Sequence, residues 1–517
     1  MKTISICFTS DIHGYIMPTN YRDKAEENFG LAKIASILDE IKRDSETLLI
    51  DNGDFIQGSP LTYYFAKKAT DQKNPMIKVA NQLQYDIGVI GNHEFNYGMD
   101  YLHRAVEESN HPWLSANIVN KTDNEPFLGK PYVIKEIAGI RIAVLGMTTH
   151  YIPNWEDPNH IKDLHFEDVV ESTKKWVPLI HELEKPDIMI VCYHGGLERD
   201  LETGEPTENL TGENQAYQLC QEVAGIDLIL TGHQHRFLTG EINGVAIVQS
   251  GSNGQAIAEI KIDFDEKIQS IQSILHYVED ETKPDMKIVE LVREDESHVQ
   301  QFLDQTITMV KGDMTITDPV AVRRYGHPFI HYINQLQMNI TGGVDISCTA
   351  LFHDKSPGFP NQVTMRDIVA NYIFPNTLKV VEVSGHDIKS ALEKSAGYFQ
   401  VENDQLVVNP SFVTPKPQPY NYDMWQGIYY EINVSNPVGE RVTTLNYHGK
   451  PLNPEQKYQV VMNNYRASGG GDYHMISGKR IVQDVPIDMT ELISNDLLKR
   501  ETLEAEHITH FKILTSN

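Results

Sequence analysis

Five short polar motifs, each directly after an apolar run, carry the residue types that bind metal ions. In chain order they are D-x-H, G-D, G-N-H-E, H-G-G and G-H-x-H. Their carboxylate, amide and imidazole groups are ligands for hard and borderline divalent ions, and no thiolate is among them. The seven candidate ligands are Asp11, His13, Asp54, Asn92, His194, His233 and His235.

Seven protein ligands are too many for one transition-metal ion. They suit two ions about 3.5–4 Å apart, with one carboxylate bridging both. Two such cations can orient a phosphoryl oxygen and activate a water molecule for in-line attack. The ligand mixture argues against a structural zinc of the cysteine type and leaves Mn, Fe, Zn or Co as candidates. His93, beside Asn92, is a candidate acid.

Each of these residues alone also has a structural explanation. A single histidine at a strand end is more often a hydrogen-bonded structural residue than a ligand, and Asp54 could be a turn or capping residue. The metal interpretation depends on the joint occurrence of the five motifs, in this order and each after an apolar strand.

The elements that must position the motifs alternate between strands and helices, which is typical of an α/β domain. Ligand sites in such domains collect where strands end at their C-terminal edge. The predicted strands that end in the motifs are 3–9, 48–50, 87–90, 188–193 and 226–230. Other predicted strands are 113–119, 140–147, 245–248 and 257–264, and predicted helices are 31–41, 76–83, 99–108 and 166–183.

The chain of 517 residues is long enough for more than one domain. The alternating pattern predicts a catalytic domain over 1–285. A charged, mostly helical stretch at 290–310 predicts a connecting helix inside a linker of 286–318, and a second domain follows at 319–517.

The net charge is -28, from 44 basic and 72 acidic residues. Binding to nucleic-acid polymers needs clustered positive charge, so that class of partner is disfavoured. No apolar stretch is long enough to span a bilayer, and the N-terminus lacks the pattern of a signal peptide. We therefore expect no membrane partner and a cytoplasmic location, whereas the oligomeric state stays open.

The motif set resembles the calcineurin-like metallophosphoesterase superfamily, and more narrowly the two-domain 5′-nucleotidase / 2′,3′-cyclic-nucleotide 2′-phosphodiesterase family. The segments 375–378, 395–399, 420–423 and 463–470 look similar to that family's C-terminal motifs. The resemblance covers nearly the whole chain. It implies a four-layer α/β/β/α metallophosphoesterase domain followed by an α+β nucleotide-binding domain.

The resemblance also implies roles for the candidate residues. His93 would stabilise the developing charge or protonate the leaving oxygen. One ion would be held by Asp11, His13, Asp54 and His235, and the other by Asp54, Asn92, His194 and His233.

In the second domain, the resemblance implies that a base is sandwiched between Tyr465 and either Tyr420 or Tyr422. Asp472, in the Gly-rich loop after Tyr465, would bind a ribose or base group. The alternative is that these tyrosines only pack, which is their usual role in strands.

Two details bear on which phosphate is cleaved. Many 5′-nucleotidases read G-N-H-E-F-D, whereas this chain has Asn96 at the last position, like the cyclic phosphodiesterase / 3′-nucleotidase branch. The Thr341-Gly342-Gly343 segment also lacks the arginine of the 5′-nucleotidase motif. The sequence therefore favours 2′,3′-cyclic nucleotides and 3′-nucleotides, with a 5′-nucleotidase as the alternative.

Three other classes remain open: a nuclease, a phosphoprotein phosphatase and a non-catalytic nucleotide sensor. The acidic composition disfavours the nuclease, and the candidate base site disfavours the protein phosphatase. A non-catalytic sensor is expected to lack some of the metal ligands or the candidate acid His93, yet all seven candidate ligands and His93 are present.

Overall fold

The structure, a computed structural model, describes residues 2–154, 156–208, 210–372, 376–403, 405–413, 417–485 and 487–515. Pro375, in one of the segments that look similar to the family's C-terminal motifs, lies outside the described residues. The chain divides into two compact units, residues 1–299 and 300–517.

In the described part of the first unit, two six-stranded sheets form the framework. The first has the spatial order Lys267–Tyr277, Ala256–Asp265, Lys2–Thr9, Glu46–Asp51, Ile87–Val89 and Trp113–Leu114. The second has the order Phe237–Ile242, Val245–Ser250, Leu228–Thr231, Ile188–His194, Ile140–Thr148 and Tyr132–Ile137. The strand predicted at 113–119 is interrupted, because Ile118–Asn120 pairs separately with Leu164–Phe166.

The two sheets pack face to face around one apolar core. Alternate residues of a strand point to the same face, so Ile4, Ile6 and Phe8 share a buried cluster with Val144 and Ile190 of the second sheet. The opposite face of the second sheet packs on the helix Val169–Glu184. The helix Leu31–Asp44 contacts strands of the first sheet. These contacts confirm the predicted α/β/β/α layering.

Three helices of this unit begin after a residue whose side chain caps the first turn. Ser59, Asn74 and Asp168 each accept a hydrogen bond from a backbone N–H of the first turn, and proline follows the first two. The helices are Leu31–Asp44, Pro60–Lys67, Pro75–Leu83, Met99–Glu108, Val169–Glu184 and Ala216–Glu222, with Met286–Leu303 at the boundary of the unit.

The stretch predicted as a linker is built into regular structure. The helix Met286–Leu303 is tied to the first unit by an ion pair between Lys78 Nζ and Asp295 Oδ2 at 2.7 Å. The sequence prediction of helix as far as residue 310 is wrong, because Thr306–Lys311 is a strand. Its β-branched and alternating residues, T-I-T-M-V-K, favour a pleated strand over a helix.

The second unit is a mixture of small sheets and helices, which confirms the predicted α+β class. Its largest sheet has the order Asp423–Gln426, Ile346–Ala350, Lys457–Asn463, Leu378–Ser384 and Arg480–Val485. A second sheet contains Lys450–Pro451, Val442–Tyr447, Ile428–Asn433 and Phe511–Leu514. Smaller sheets join Gln362–Thr364, Thr306–Lys311 and Thr502–Glu504, Met314–Thr315 with Gly358–Phe359, and Phe399–Glu402 with Gln405–Val408.

The helices of the second unit are short. They are Pro319–Tyr325, Pro328–Ile340, Met365–Asn371, Gly385–Ala396, Asn464–Ala467 and Met489–Leu497. No helix within the described residues of either unit combines the length and the apolar character needed to cross a membrane.

Candidate metal centre and nucleotide-binding residues

The predicted ligands lie at the C-terminal ends of parallel strands from both sheets of the first unit. Three neighbouring strands of the first sheet run parallel, and two neighbouring strands of the second sheet do likewise. Because the sheets pack face to face, these strand ends meet at one edge. The first sheet supplies Asp11, His13, Asp54 and Asn92, and the second supplies His194, His233 and His235.

One group of candidate ligands comes from the first and last motifs. One ligand atom from each of Asp11, His13 and His235 lies within 4.8 Å of the other two. His235 Nε2 is 3.3 Å from Asp11 Oδ1 and 3.0 Å from His13 Nε2. Three atoms with lone pairs at this spacing can hold a divalent ion.

A second group is formed by Asp54, His194 and His233, whose ligand atoms also lie within 4.8 Å of one another. Asn92 joins it, since Asn92 Oδ1 is 3.2 Å from His194 Nε2 and 2.9 Å from His233 Nδ1. Asp54 Oδ2 is 3.1 Å from His194 Nε2, is buried, and makes no hydrogen bond in the described part of the chain. Buried polar atoms of structural residues nearly always have a hydrogen-bond partner, so this carboxylate oxygen fits the role of a metal ligand better than a structural role.

Backbone carbonyls fix the tautomers of two of the histidines. His13 Nδ1 is 3.1 Å from the carbonyl oxygen of Gln57, and His194 Nδ1 is 2.6 Å from that of Asn52. A carbonyl oxygen can only accept, so in each ring Nδ1–H donates. Nε2 is then the nitrogen that faces the ligand group, as in metal-binding histidines generally.

Two carboxylates outside the predicted ligand set support the centre: Glu94, which belongs to the G-N-H-E motif, and Glu213, which no motif marks. Glu213 Oε1 is 3.0 Å from His233 Nε2, so it orients that ring and leaves Nδ1 facing the centre. Glu94 is fully buried and accepts hydrogen bonds from the backbone N–H groups of Gly91, Asp54 and Phe55. Glu94 thus holds two ligand-bearing loops together.

Charge and burial act in opposite directions on these groups. Burial raises the pKa of Asp11, but the hydrogen bond with His235 and the charges of His194 and His235 together outweigh it, and the pKa falls to about 2. Burial lowers the pKa of His194, but the charge of Asp54, its hydrogen bond and the charges of Asp11 and Glu94 together raise it to about 10. Burial lowers the pKa of His13 to about 4 despite the opposing charge of Asp54. Asp54 therefore pairs with His194, and Asp11 pairs with His235.

The ligand loops adopt unusual backbone conformations. Five candidate ligands have a left-handed φ: Asp11 at 57°, His13 at 51°, Asp54 at 56°, His233 at 67° and His235 at 57°. Side chains other than glycine rarely adopt this region, and doing so costs energy. The ligand loops are also tightly packed, since a Cβ atom added to Gly91 would lie 2.3 Å from Asp54 Oδ1. Such strain concentrates at functional sites.

His93 borders the centre without joining either group. Its backbone N–H donates to Asp54 Oδ1 at 2.8 Å, and its Nε2 lies 4.0 Å from Asp54 Oδ2. Its Nδ1 is 2.6 Å from Asn96 Oδ1, which fixes the ring. The imidazole can therefore present Nε2 to a group bound over the centre.

In the second unit, Tyr465 and Tyr420 lie side by side. Tyr465 is 44% exposed, and its ring centroid is 6.2 Å from that of Tyr420 with an angle of 79° between the planes. The rings meet edge to face, so they are not the parallel sandwich that the resemblance implies. Asp472 is exposed and its Oδ2 accepts from Lys394 Nζ at 3.2 Å.

Tyr422 is not available to a ligand, which corrects its candidacy for the base site. Its side chain is only 1% exposed, and its hydroxyl donates to the carbonyl oxygen of Arg323 at 3.0 Å. The ring packs against Tyr398 and Phe399. Tyr420 lies in the 3₁₀ helix Pro419–Asn421 and is half-buried, whereas Tyr422, directly after that helix, enters the core.

Arg466, next to Tyr465, ties the aromatic pair to the Gly-rich loop. It is buried and paired with Asp423 at 2.7 Å. It also donates to the carbonyl oxygens of Tyr420, at 2.9 Å, and of Gly470. One cation therefore positions both the Tyr420 segment and the loop that carries Asp472.

Comparison with known proteins agrees with this arrangement. The calcineurin-like phosphoesterase model matches residues 4–237, and the 5′-nucleotidase C-terminal domain model matches residues 312–478. A 2′,3′-cyclic-nucleotide 2′-phosphodiesterase/3′-nucleotidase of Salmonella typhimurium is 30% identical over 91% of this chain and 83% of its own length.

Two other proteins are similar over nearly the whole chain. The trifunctional nucleotide phosphoesterase protein YfkN of Bacillus subtilis is 28% identical over 99% of this chain, which spans 39% of the length of that protein. A Staphylococcus aureus protein, crystallised with alpha-ketoglutarate and described provisionally as a 5′-nucleotidase, has a TM-score of 0.84. It is 35% identical, and the match covers 100% of both chains.

Calcineurin-like phosphoesterases use divalent metal ions, and both ligand groups described above stand in the part of the chain that their model matches. The chain therefore belongs to the calcineurin-like metallophosphoesterases, in the two-domain 5′-nucleotidase / 2′,3′-cyclic-nucleotide phosphodiesterase family, and it is a hydrolase of nucleotide phosphoesters.

Proposed function

We propose that the protein opens 2′,3′-cyclic nucleotides at the 2′ ester and then removes the remaining 3′-phosphate, using a two-ion centre in its first unit. The observation that carries the centre is the convergence of two ligand groups at one edge of the packed sheets. Asp54 is the residue proposed to bridge them, because its charge acts on His194 of one group and on His13 of the other.

The donor set suits Mn, Fe, Zn or Co, and availability decides which of them is bound. When bound, such ions would neutralise the charge of the phosphate and activate the attacking water. The chain itself orients the ligands: Gln57, Asn52 and Glu213 fix which ring nitrogens would face the ions.

His93 is the proposed acid. Asn96 Oδ1 accepts from its Nδ1–H, so Nε2 is the nitrogen that can give a proton to the leaving oxygen. A ribose oxygen is a poor leaving group without a proton, so this transfer assists cleavage of a nucleotide more than cleavage of an activated ester.

The preference for the 2′ and 3′ positions is supported by three observations. Asn96 stands where many 5′-nucleotidases have aspartate, and the Thr341-Gly342-Gly343 segment lacks their arginine. The Salmonella typhimurium relative is named for the 2′,3′-cyclic and 3′ activities. A 5′-nucleotidase is the second candidate, favoured by the description of the Staphylococcus aureus protein.

A comparison of substrates tests this preference. We expect kcat/KM to be higher for 2′,3′-cyclic AMP and 3′-AMP than for 5′-AMP, since specificity is the ratio of these values. Single-stranded DNA and a phosphopeptide in the same assay test the nuclease and protein-phosphatase alternatives. A clear preference for 5′-AMP would replace the proposed substrate while leaving the metal centre as described.

Tyr465 is the proposed base-stacking residue, because its ring is the more exposed of the aromatic pair. Stacking on one base contributes about 1–3 kcal/mol, so Tyr465→Ala is expected to raise KM for nucleotides by about 5–150-fold. Hydrolysis of p-nitrophenyl phosphate, which has no base, is expected to change little.

Two control variants sharpen this test. Tyr465→Phe keeps the aromatic face and is expected to retain near-normal KM. Tyr325→Ala removes another exposed tyrosine, 56% exposed in the same unit, and is expected to leave nucleotide KM unchanged. Equal KM values for Tyr465→Ala and Tyr465→Phe would show that Tyr465 does not stack on the base.

A further inference from the structure

Asn96 stands between His93 and a buried carboxylate. His93 Nδ1 is 2.6 Å from Asn96 Oδ1, and Asn96 Nδ2 donates to Glu156 Oε2 at 2.6 Å. Glu156 Oε1 accepts from the backbone N–H of Asp157 at 2.9 Å and lies 2.8 Å from His160 Nδ1. The Glu156 side chain is only 5% exposed. The four side chains His93, Asn96, Glu156 and His160 thus form a continuous polar chain that starts at the metal centre.

Glu156 determines which way the Asn96 amide points. An ionised carboxylate only accepts hydrogen bonds, so the Asn96 atom that faces it must be the NH₂ group. The Asn96 carbonyl oxygen is then left facing His93. That oxygen can accept from Nδ1–H whether the imidazole is neutral or charged. Without Glu156, the amide is free to turn over and present its NH₂ group to Nδ1 instead.

We propose that Glu156 is a positioning residue for His93 and acts through Asn96. The inference rests on the proton-donor role proposed for His93. As the bond between phosphorus and the leaving oxygen breaks, the Nε2–H bond also breaks and the oxygen takes the proton. The imidazole keeps its Nδ1–H, held by Asn96, and regains a proton at Nε2 from water. Glu156 keeps the ring in the state in which Nε2 is the donor.

Glu156→Gln tests this role through its dependence on the leaving group. A glutamine side chain can donate as well as accept, so Asn96 loses its fixed orientation. We expect kcat for the best nucleotide substrate to fall by about 10–100-fold, by analogy with the loss of a partner that orients a metal-binding histidine. Turnover of p-nitrophenyl phosphate should change little, because nitrophenolate leaves without a proton. The ratio of the two rates in one preparation is independent of the folded fraction.

Two further variants distinguish this role from a merely structural one. Asp157→Asn removes the same charge one residue along the chain, where the side chain accepts from Asn159, and should keep the wild-type ratio. Asn96→Asp places a second carboxylate next to Glu156, where the two negative charges repel each other, and should abolish nucleotide turnover. Combining Asn96→Asp with Glu156→Gln leaves one carboxylate, directly beside His93, and should restore most of that turnover.

Equal losses on both substrates for Glu156→Gln, or additive losses in the double variant, would overturn the inference. His93→Ala in the same assay distinguishes a failure of the proposed acid role of His93 from a failure of the proposed positioning role of Glu156. If it lowers both rates equally, the acid role of His93 fails and this inference fails with it. If His93→Ala discriminates between the substrates and Glu156→Gln does not, only the role of Glu156 is wrong.

Discussion

Removal of divalent ions is expected to abolish phosphoester hydrolysis, and Mn²⁺, Co²⁺ or Zn²⁺ is expected to restore it. The physical reason lies in the centre itself, where buried Asp11 and Asp54 place two carboxylates among the candidate histidine ligands. Purified protein should contain, or be activated by, about two ions per chain. Metal analysis together with activity before and after chelation measures both expectations.

A single substitution sharpens this test. Asp54→Asn is expected to reduce the metal content and to lower turnover. The loss of a residue that only orients a metal ligand costs about 10–100-fold, and the loss of the ligand itself should cost more. Added Mn²⁺ should not rescue it. Asp123→Asn, which removes an exposed carboxylate from a loop of the same unit, serves as the control and should keep full metal content. Full activity after exhaustive chelation would refute the metal mechanism.

His93→Ala is expected to slow nucleotide hydrolysis by about 10²–10⁴-fold, the usual contribution of a positioned acid. Metal content should be unchanged, because His93 Nε2 lies 4.0 Å from Asp54 Oδ2 and belongs to neither ligand group. The measurement is kcat on the nucleotide and on p-nitrophenyl phosphate, with the metal content of the same preparation.

His103→Ala provides the matched control for this variant. His103 is an exposed histidine on the helix Met99–Glu108, which follows the His93 motif, and its removal should leave both rates unchanged. Turnover of His93→Ala within a small factor of the wild-type rate on nucleotides would remove His93 from the mechanism.

The positions of the candidate ligands could be read from the sequence because each follows a buried strand. Apolar runs such as Ile188–His194 can be recognised as buried strands from their hydrophobicity. The C-terminal ends of parallel strands lie at one edge of the sheet, so the residues that follow these strands lie close together. The strand Lys2–Thr9 and the helix Met99–Glu108 lie close to their predicted bounds for the same reason. Local pattern and global topology agree in this unit.

Other features depend on contacts between segments that are distant in sequence. Glu156 is 60 residues from Asn96, and no motif marks either Glu156 or Glu213. The choice between Tyr420 and Tyr422 required knowing which side of the segment faces the core. The strand Thr306–Lys311 pairs with residues near both 363 and 503, so its state is decided by partners rather than by its neighbours in the chain.

The left-handed backbone at five ligand positions has a consequence for protein engineering. Strained conformations of this kind cost about 1–3 kcal/mol each, so glycine at Asp11 or His235 would relax the fold while removing a ligand. Selection for heat resistance alone would therefore enrich inactive variants at these positions. A library screened for thermostability should keep all five residues fixed, and a lineage released from selection for catalysis would be expected to drift there first.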